Sequence, residues 1–526
     1  MRSPWWQSAV IYQIYPRSFQ DTTGNGIGDL EGIRRRVPYL AETLGVDAVW
    51  LSPFYPSPQK DLGYDVSDYT DVDPQYGTLD DFDRLRSALH DAGLKLIVDW
   101  VPNHSSDQHE WFRESRGSRN NPKRDWYVWK DAGPGGGPPN NWLSNFGGPA
   151  WEFDVATGQY YLHSFLKEQP DLNWRNPQLR EAMLDTLRFW LDRGVDGFRI
   201  DVAHYMMKDP ALRSNPAAGT RAKGSYKDLG EYETQLHVYN KGHDDIHDVF
   251  RAIRSVMEEY DGDRLTVGEI HEYEPQKWAS YYGSGDGLSM PLNFALLAAE
   301  DSRDSVASAI EAVESVTPEF GWPNYVWGNH DERRITSRFD DCGARRAAVL
   351  LLTLRGTPTM YYGDEIGMLE ADVPPELAVD PWGKRVPGLG RDGARTPMQW
   401  VGQGGFSSAA ATWLPMGPDT ENRNVDSQVD DPASMLTLYR RLLEVRSTSR
   451  ALQIGALAVV DSGDPDVFVF QRQSAAETVT VMVNYADGAR RVAGVEASEV
   501  LVSSDPARLA GNKLIELSPG EALVVR

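Results

Sequence analysis

Short apolar runs rich in β-branched and aromatic residues recur along this chain, and helix-like patterns separate them. Strands that alternate with helices are typical of a parallel sheet, because each helix carries the chain back to the same end of the sheet. Eight such runs suffice to close a cylinder, so we predict an α/β fold, a (β/α)8 or TIM barrel. The predicted strands are residues 10–15, 48–51, 95–99, 197–202, 265–269, 288–294, 325–330 and 359–362. The predicted helices are residues 33–44, 79–92, 177–193, 244–260, 305–316, 344–354 and 432–446.

Two long interruptions and one change of pattern divide the chain further. The connection after the third strand is far longer than an ordinary βα loop, and so is the one after the eighth. Beyond residue 455 the pattern changes to strands without helices, at residues 467–470, 478–483, 500–502 and 522–525. We predict a barrel at residues 1–104 and 173–450, an inserted small domain at 105–172, a further insertion at 364–431 and a C-terminal antiparallel β-sandwich domain at 455–526.

The chain of 526 residues is strongly acidic, with a formal charge of −24. Such a charge repels nucleic acid and anionic membrane, so we expect neither as a partner, and an uncharged small molecule fits better. Cys342 is the only cysteine, so no internal disulfide can form, which suits a reducing cytoplasm. No basic and apolar leader and no apolar run of about 18 residues is present. We predict a cytoplasmic protein and leave open whether it is a monomer or a homo-oligomer.

The fourth predicted strand ends in a pair of opposite charges. Side chains alternate between the faces of a strand, so Arg199 and Asp201 share one face while Phe198 and Ile200 share the other. A guanidinium this close favours an ionised carboxylate. Two interpretations fit this segment alone. One is a buried structural salt bridge, and the other is an ionised Asp201 that acts as a nucleophile at the catalytic end of a barrel.

Three carboxylates follow the C-terminal ends of the fourth, fifth and seventh predicted strands: Asp201, Glu269 and Asp331. Because these strand ends meet at one mouth of a barrel, the three acids form a candidate site. Two carboxyl groups about 5–5.5 Å apart can hydrolyse a glycosidic bond with retention, one as nucleophile and the other as acid and base. Glu269 has no basic neighbour along the chain before His271. We therefore predict that Glu269 holds its proton near neutral pH while Asp201 stays ionised.

The segments around these acids resemble the motifs of the α-amylase family of glycoside hydrolases, most closely its α-glucosidase and oligo-1,6-glucosidase branch. DWVPNH at residues 99–104, GFRID at 197–201, VGE at 267–269 and NHD at 329–331 resemble four family motifs in the family's order. QPDLNW at residues 169–174 and RTPMQW at 395–400 resemble segments of enzymes that cleave oligosaccharides rather than of endo-acting amylases. The resemblance spans nearly the whole chain.

The resemblance implies a role for each matching position. Asp201 would be the nucleophile and Glu269 the acid/base, while Asp331 would stabilise the transition state. Asp61 and Arg395 match positions that pair over the non-reducing end of the sugar, which makes an enzyme exo-acting. Histidines would bind hydroxyls of the terminal glucose, and aromatic rings would form walls, although such rings also serve core packing. The complete implied substrate-binding set is Asp61, Tyr64, His104, Phe146, Phe165, Gln169, Arg199, Val202, His330 and Arg395.

A loop near the N-terminus offers oxygen atoms at alternate positions, as a hard cation prefers. It is not an EF-hand, because its twelfth position is Gly32 where a Glu is required. It does resemble the calcium or magnesium loop of oligo-1,6-glucosidases. The ligands that this resemblance implies are Asp21, Thr23, Asn25, the Ile27 carbonyl and Asp29. Thr23 and Asn25 replace the more usual Asn and Asp, so we expect weak binding of a structural Ca²⁺ or Mg²⁺. An empty turn held by side-chain hydrogen bonds is the alternative, and catalysis needs no cofactor.

Two departures from the branch concern specificity. Glu332 and Arg333 replace the Gln-Pro of many relatives, which alters the rim of the site. Val202 tends to accompany α-1,6 cleavage in this branch, whereas residues 202–209 as a whole resemble bacterial α-glucosidases that act on maltose-like substrates. The two hints disagree, and the longer segment is the better guide.

The resulting prediction is a retaining, exo-acting α-glucosidase that acts on short oligosaccharides such as maltose. An oligo-1,6-glucosidase and a transglucosylase of the same branch are the alternatives. A non-catalytic relative, similar to the ectodomains of amino-acid-transporter heavy chains, is disfavoured because all three acids are present.

Overall fold

Eight parallel strands form the centre of the protein. The computed structural model describes residues 3–219, 227–492, 499–508 and 516–526. The barrel strands are Ile11–Ile14, Ala48–Leu51, Lys95–Trp100, Gly197–Ile200, Leu265–Glu269, Met290–Asn293, Asn324–Tyr325 and Thr359–Tyr361. The first strand pairs with the second and the eighth, and the others follow in chain order. A parallel bridge between Val326 and Thr359 brings the seventh and eighth strands together, so the predicted barrel is confirmed.

The seventh strand is shorter than predicted and ends at Tyr325 rather than at residue 330. The buried side-chain amide of Asn324, the first residue of this strand, donates to the Thr357 carbonyl oxygen at 2.6 Å and to the Thr359 hydroxyl at 3.0 Å. Side-chain hydrogen bonds thus replace part of the backbone ladder between the last two strands. Asp331 therefore lies on a loop beyond the strand rather than directly at its end.

Two predicted helices have different boundaries. The helix expected at residues 33–44 is split into Leu30–Arg35 and a π-helix, Tyr39–Leu44, with Pro38 between them. Proline has no backbone N–H to continue an α-helical ladder. The helix expected at residues 344–354 begins earlier and spans Ile335–Thr353, with a break at Asp340, whose φ is 70°.

Amphipathic helices surround the barrel and bury their apolar faces against the strands. Some of them begin at side-chain caps: Thr78 and Asp81 form a capping box at the start of Leu79–Asp91, and Asn176 caps Pro177–Asp192. The remaining helices around the barrel are Trp5–Ser8, Pro16–Phe19, Ile246–Glu258, Pro275–Ser280, Ala295–Ala298, Arg303–Glu314, Met435–Thr448 and Arg450–Ile454. The insertion after the eighth strand adds Pro381–Arg385 and Val425–Gln428.

Antiparallel sheets lie in two of the predicted appended segments. Segment 105–172 contains the helix Glu110–Gly117 and a sheet of Trp129–Lys130, Trp151–Asp154 and Gln159–Leu162. The C-terminal segment forms one sheet from Ala456–Val460, Val467–Gln473, Thr478–Asn484, Val500–Ser503 and Ala522–Val525, and a second from Arg490–Arg491 and Glu516–Leu517. Leu517 of the second sheet packs in one apolar cluster with Val467, Val469 and Leu523 of the first.

The predicted barrel and C-terminal domains also include residues 1–2, 220–226, 493–498 and 509–515, which lie outside the described ranges. Among the helices of the described residues, none combines the length and the apolar character that a membrane span requires.

Candidate active site

A cavity of about 700 Å³ opens at the C-terminal mouth of the barrel. It brings together the three predicted catalytic acids and most of the predicted substrate-binding residues. Those that line it are Asp61, Tyr64, His104, Phe146, Phe165, Asp201, Val202, Glu269, His330 and Asp331. Gln169, Arg199 and Arg395 contact carboxylates of this lining. All thirteen predicted positions therefore belong to one site.

Arg199 is the hub of the acidic cluster. Its Nη1 lies 2.7 Å from Oδ1 of Asp201 and 2.8 Å from Oδ1 of Asp99, and its Nη2 lies 2.7 Å from Oε2 of Glu269. The face of the guanidinium lies 5.1 Å from the Trp50 ring. The predicted alternation of Arg199 and Asp201 on one strand face is confirmed. One planar cation thus holds three buried carboxylates close together, whereas an isolated salt bridge would involve only one.

Burial and the Arg199 cation shift the pKa values of these carboxyl groups in opposite directions. Burial raises the pKa of Asp201 well above its ordinary value and that of Asp99 to about 6, although the Arg199 charge partly offsets this. Burial also raises the pKa of Glu269, but Arg199 and His271 outweigh it, and the net shift is downward. The expectation that Glu269 holds a proton is therefore opposed by its neighbours in the free enzyme. It counted neighbours along the chain only, whereas Arg199 reaches Glu269 from the adjacent strand.

Asp331 lies between two arginines and a histidine. Its Oδ1 accepts from Nη2 of Arg395 at 2.8 Å and from Nη1 of Arg391 at 3.0 Å, and its Oδ2 lies 3.3 Å from Nε2 of His330. Burial raises the pKa of Asp331, but these neighbours outweigh burial and hold the pKa well below its usual range. Asp331 is therefore ionised at neutral pH.

The ion pair at Asp61 differs from the prediction. Oδ1 of Asp61 accepts from Nη2 of Arg391 at 2.9 Å, and its Oδ2 accepts from the Gln169 amide at 3.1 Å. Arg395, the expected partner, instead contacts Asp331. Arg391 in turn is held by Asp380, 2.6 Å from its Nη2. The turn Asp392–Arg395 brings both arginines to the same side, so one guanidinium, that of Arg391, bridges Asp61 and Asp331.

The two predicted hydroxyl-binding histidines are neutral. Burial lowers the pKa of His104 to about 4 and that of His330 to about 3. The Gln13 amide lies 2.8 Å from Nδ1 of His330, and the Asn103 amide lies 3.1 Å from Nδ1 of His104. These donors assign the ring proton of each histidine to Nε2. Each Nε2 then faces an oxygen of Tyr64: the hydroxyl at 2.7 Å from His330 and the backbone carbonyl at 3.1 Å from His104.

Aromatic rings form the walls of the cavity. Tyr64 stacks on His330 with ring centroids 5.3 Å apart and an interplanar angle of 2°. Phe146 meets Phe165 edge to face and stacks on Trp382 of the insertion. These rings are packed against one another and also line the cavity, so they serve both core packing and the pocket wall. Trp382 shows that the insertion contributes to the wall.

Val202 has an unusual backbone conformation directly after Asp201. Its φ of 35° and ψ of 47° lie in the left-handed region, which is costly for a β-branched residue. This conformation directs the Val202 N–H to Oε2 of Glu269 at 2.9 Å. The strained residue therefore contributes a backbone donor to the acid/base candidate, a contact that the sequence did not indicate.

The carboxylates of the predicted cation loop accept hydrogen bonds from within the protein. The Asp21 carboxylate accepts from backbone N–H groups of the loop and from the Ser407 hydroxyl. Asp29 also accepts from loop donors, and the Asn25 side-chain oxygen accepts from the Ile27 N–H at 2.8 Å. Across the described residues, no group of three or more His, Cys, Asp or Glu side chains is arranged to hold a metal ion. These contacts fit the alternative of a hydrogen-bonded turn, and the cation stays a prediction.

The structure adds lining residues that the sequence did not identify: Arg391, Trp382, Tyr205, Lys227 and His271. Arg391 stands four positions before Arg395 and outside the motif at residues 395–400, and this spacing was the one signal that could have indicated two arginines on one side of a turn. His271 stands two positions after Glu269, as Asp201 does after Arg199. Trp382, Tyr205 and Lys227 come from long connections, whose course over the barrel mouth no local pattern indicates.

A parallel barrel with a buried carboxylate cluster in an aromatic-walled cavity at its C-terminal mouth is an architecture suited to a glycosidase. The chain belongs to the α-amylase family of glycoside hydrolases, since residues 13–455 match the model of the alpha-amylase catalytic domain. The resemblance inferred from the motifs is thereby confirmed.

Several relatives match over most of their length. The chain is 45% identical to a probable alpha-glucosidase of Rhizobium meliloti, over 92% of this chain and 90% of that relative. It is 37% identical to an oligo-1,6-glucosidase of Halalkalibacterium halodurans, over 97% and 95%. Among solved structures, an alpha-glucosyl transfer enzyme superposes with a TM-score of 0.91 at 39% identity, and all of both chains is covered. The trehalulose synthase MutB superposes with a TM-score of 0.89 at 36% identity, over 99% of this chain and 100% of that chain.

Proposed function

We propose that this protein is a retaining, exo-acting α-glucosidase that releases terminal non-reducing α-linked glucose from short oligosaccharides. The observation that carries the proposal is the Arg199 cluster, in which one guanidinium contacts both Asp201 and Glu269 in the cavity. Relatives named alpha-glucosidase and oligo-1,6-glucosidase support the same activity.

In the first displacement, an oxygen of Asp201 bonds to the anomeric carbon while the glycosidic bond breaks. Oδ1 of Asp201 accepts from Arg199, which leaves Oδ2 for the attack. Glu269 gives its proton to the leaving oxygen and becomes a carboxylate. In the second displacement, water bonds to the anomeric carbon, the bond to Asp201 breaks, and the proton of the water returns to Glu269. Two inversions give α-glucose.

This sequence requires a proton on Glu269 and a charge on Asp201, the opposite of the pKa order in the free enzyme. Bound substrate supplies both changes. The positive charge that develops at the anomeric carbon stabilises ionised Asp201, and the leaving group removes solvent from Glu269, which favours its protonated form. Three carboxylates around one guanidinium retain a proton more readily than isolated acids, as the raised pKa of Asp99, about 6, illustrates.

Exo-action follows from the inner end of the cavity. Arg391 bridges Asp61 and Asp331 there, and the rings of Phe146 and Trp382 lie on its guanidinium at 5.3 and 5.5 Å. A chain that continued beyond the terminal glucose would have to displace this buried, ion-paired arginine. The site therefore accepts one glucose unit at a chain end.

Transfer of glucose to another acceptor is a second candidate. The outer part of the cavity is lined by Tyr205, Tyr232, Val238 and Tyr273, and the last two are 52% and 37% exposed. An apolar surface beside the glucosyl-enzyme favours acceptors that displace water. The structural relative named as an alpha-glucosyl transfer enzyme supports this alternative.

Asp201→Asn and Glu269→Gln test the activity. We expect both variants to fold with an unchanged circular dichroism spectrum and to lose several orders of magnitude in glucose release, since each removes the chemistry of one step. NMR of the first product should show the α-anomer, and initial β-glucose would refute retention. Rates on maltose, isomaltose, sucrose and trehalose, with glucose and longer products separated, distinguish hydrolysis from transfer and give the linkage preference.

The uncharged substrate, the acidic surface and the single cysteine support a cytoplasmic enzyme. A protease-protection experiment on intact cells tests this location, and cleavage by external protease would contradict it.

A further inference from the structure

His271 contacts the acid/base candidate from the side of the cavity. Its Nε2 lies 2.9 Å from Oε1 of Glu269, and its ring stacks on Phe294 with centroids 4.6 Å apart and an interplanar angle of 12°. About a third of its side chain, 32%, is exposed, and it lines the cavity. The Phe294 face fixes the plane of the imidazole, so the contact with Glu269 is a directed hydrogen bond.

The two oxygens of Glu269 have different neighbours. Oε2 faces the Val202 N–H at 2.9 Å and Nη2 of Arg199 at 2.7 Å, and both groups can only donate. An oxygen that accepts a hydrogen bond from the first group and lies in an ion pair with the second is the anionic one and does not carry the proton. The proton of the general acid therefore belongs on Oε1, the oxygen that His271 contacts. A ring nitrogen suits this position, because imidazole either donates or accepts.

We propose that His271 is a positioning residue for Glu269, which directs Oε1 at the leaving oxygen and sets the pH at which that oxygen loses its proton. The inference rests on the proposed acid/base role of Glu269. In the first displacement the Oε1 proton moves to the glycosidic oxygen, and Nε2–H of His271 then donates to the new carboxylate. In the second, the proton of the incoming water returns to Oε1. His271 keeps its own proton throughout, so the proton balance of the reaction is unchanged.

The charged and titratable groups around His271 define the sign of the effect. They are Glu269 in direct contact, His204 with a ring centroid 6.2 Å away, Arg199 and Asp331 beyond Glu269, Lys241 beyond His204, and the adjacent Glu272 in its ion pair with Lys277. Burial holds the pKa of His204 well below its usual range, so this ring is neutral. The stacked Phe294 carries no charge. His271 and Arg199 are thus the groups that oppose burial at Glu269 and lower its pKa.

Removal of His271 should therefore raise the pKa of Glu269. The acid form would persist to higher pH, so the basic limb of the kcat profile, which reports the substrate complex, should move upward in His271→Phe, by about one pH unit if the hydrogen bond is worth about 1.4 kcal/mol. His271→Gln keeps an N–H donor without the imidazole, and its limb should move less. His247→Gln is the matched control, because His247 lies on the helix Ile246–Glu258 and packs against the rings of Phe250 and Tyr281 rather than in the cavity lining.

A second measurement separates positioning from a structural role. Maltose has a poor leaving group that needs protonation, whereas p-nitrophenyl α-glucoside has a good one. His271→Phe should lose kcat/KM on maltose by about ten- to a hundredfold more than on the aryl glucoside, a part of the usual acid–base contribution. His271→Gln should restore part of the difference. If His271→Phe does not fold, His271→Gln alone still shows the shifted limb.

Equal losses on both substrates with an unmoved basic limb would overturn the proposal. An active Glu269→Gln variant would instead refute the acid/base assignment, so the two failures are distinguishable.

Discussion

Replacement of Arg199 by methionine removes the one cation that contacts three carboxylates of the cluster. Arg199 is 1% exposed, and Asp99, Asp201 and Glu269 are between 0% and 6% exposed. Methionine keeps an unbranched side chain of similar length against Trp50, so the change is chiefly one of charge. Loss of one partner from a buried ion pair costs about 3–5 kcal/mol. Three ionised carboxylates cannot remain together here, and at least one of them must bind a proton.

The expected magnitude follows from the pKa values that Arg199 holds down. Asp99 has a pKa of about 6 even with the guanidinium in place, because burial raises it. If removal of Arg199 raises the pKa of Asp201 by about two further units, the ionised fraction at neutral pH falls about a hundredfold. We expect kcat/KM at pH 7 to fall by at least about that factor. The acidic limb of the kcat profile, which reports the substrate complex, should move upward by about two pH units.

The same shift predicts how stability depends on pH. A carboxyl group whose folded-state pKa lies above its unfolded value contributes stability that is complete below the unfolded pKa and is lost as the pH rises through the folded pKa. Arg199→Met should therefore have a lower urea midpoint at pH 8 than at pH 5. Arg188→Met is the control, because Arg188 pairs with Glu259 at the surface and should contribute less than about 1 kcal/mol. An acidic limb that does not move in Arg199→Met would refute the reasoning.

Three further predictions concern the rim, the linkage and the cation loop. Lys227 lies 2.6 Å from Oε1 of Glu332 and 2.8 Å from the Asp331 carbonyl, so Lys227→Met should raise KM for maltose more than it lowers kcat; an unchanged KM contradicts this. Val202→Thr should raise the ratio of kcat/KM on maltose to that on isomaltose, and a constant ratio contradicts it. A chelator should lower the melting temperature more than the turnover if a cation occupies the Asp21 loop, and unchanged melting would indicate a turn held by hydrogen bonds alone.

The barrel and the contents of the site were predictable because each rests on a local pattern. Buried parallel strands are continuous apolar runs, and strand ends of a barrel meet at one mouth whatever their separation in sequence. Asp201, Glu269 and Asp331 could therefore be grouped before their positions were known. The seventh strand was overestimated because the apolar run continues to Trp327, whereas the backbone pairing with the sixth strand ends at Tyr325.

The pairing within the site was not predictable in the same way. Asp61 and Arg391 are 330 residues apart, and the sequence, which has an arginine at both 391 and 395, does not indicate which one forms the ion pair. The basic neighbour of Glu269 was missed for a related reason, because Arg199 lies on the adjacent strand. The parallel register pairs Arg199 with Val267, two residues before Glu269, so a prediction that included strand order could have found this contact.

Val202 connects the two properties that its position influences. Its left-handed backbone directs its N–H at Oε2 of Glu269, while its side chain lines the cavity. The conformation costs about 1–2 kcal/mol for a residue other than glycine, and the hydrogen bond to the acid/base candidate offsets part of that cost. Any side chain at this position changes the shape of the pocket and, through the backbone strain, the support of Glu269. We therefore expect linkage preference and proton transfer to be coupled at Val202, although this residue contributes no reactive group.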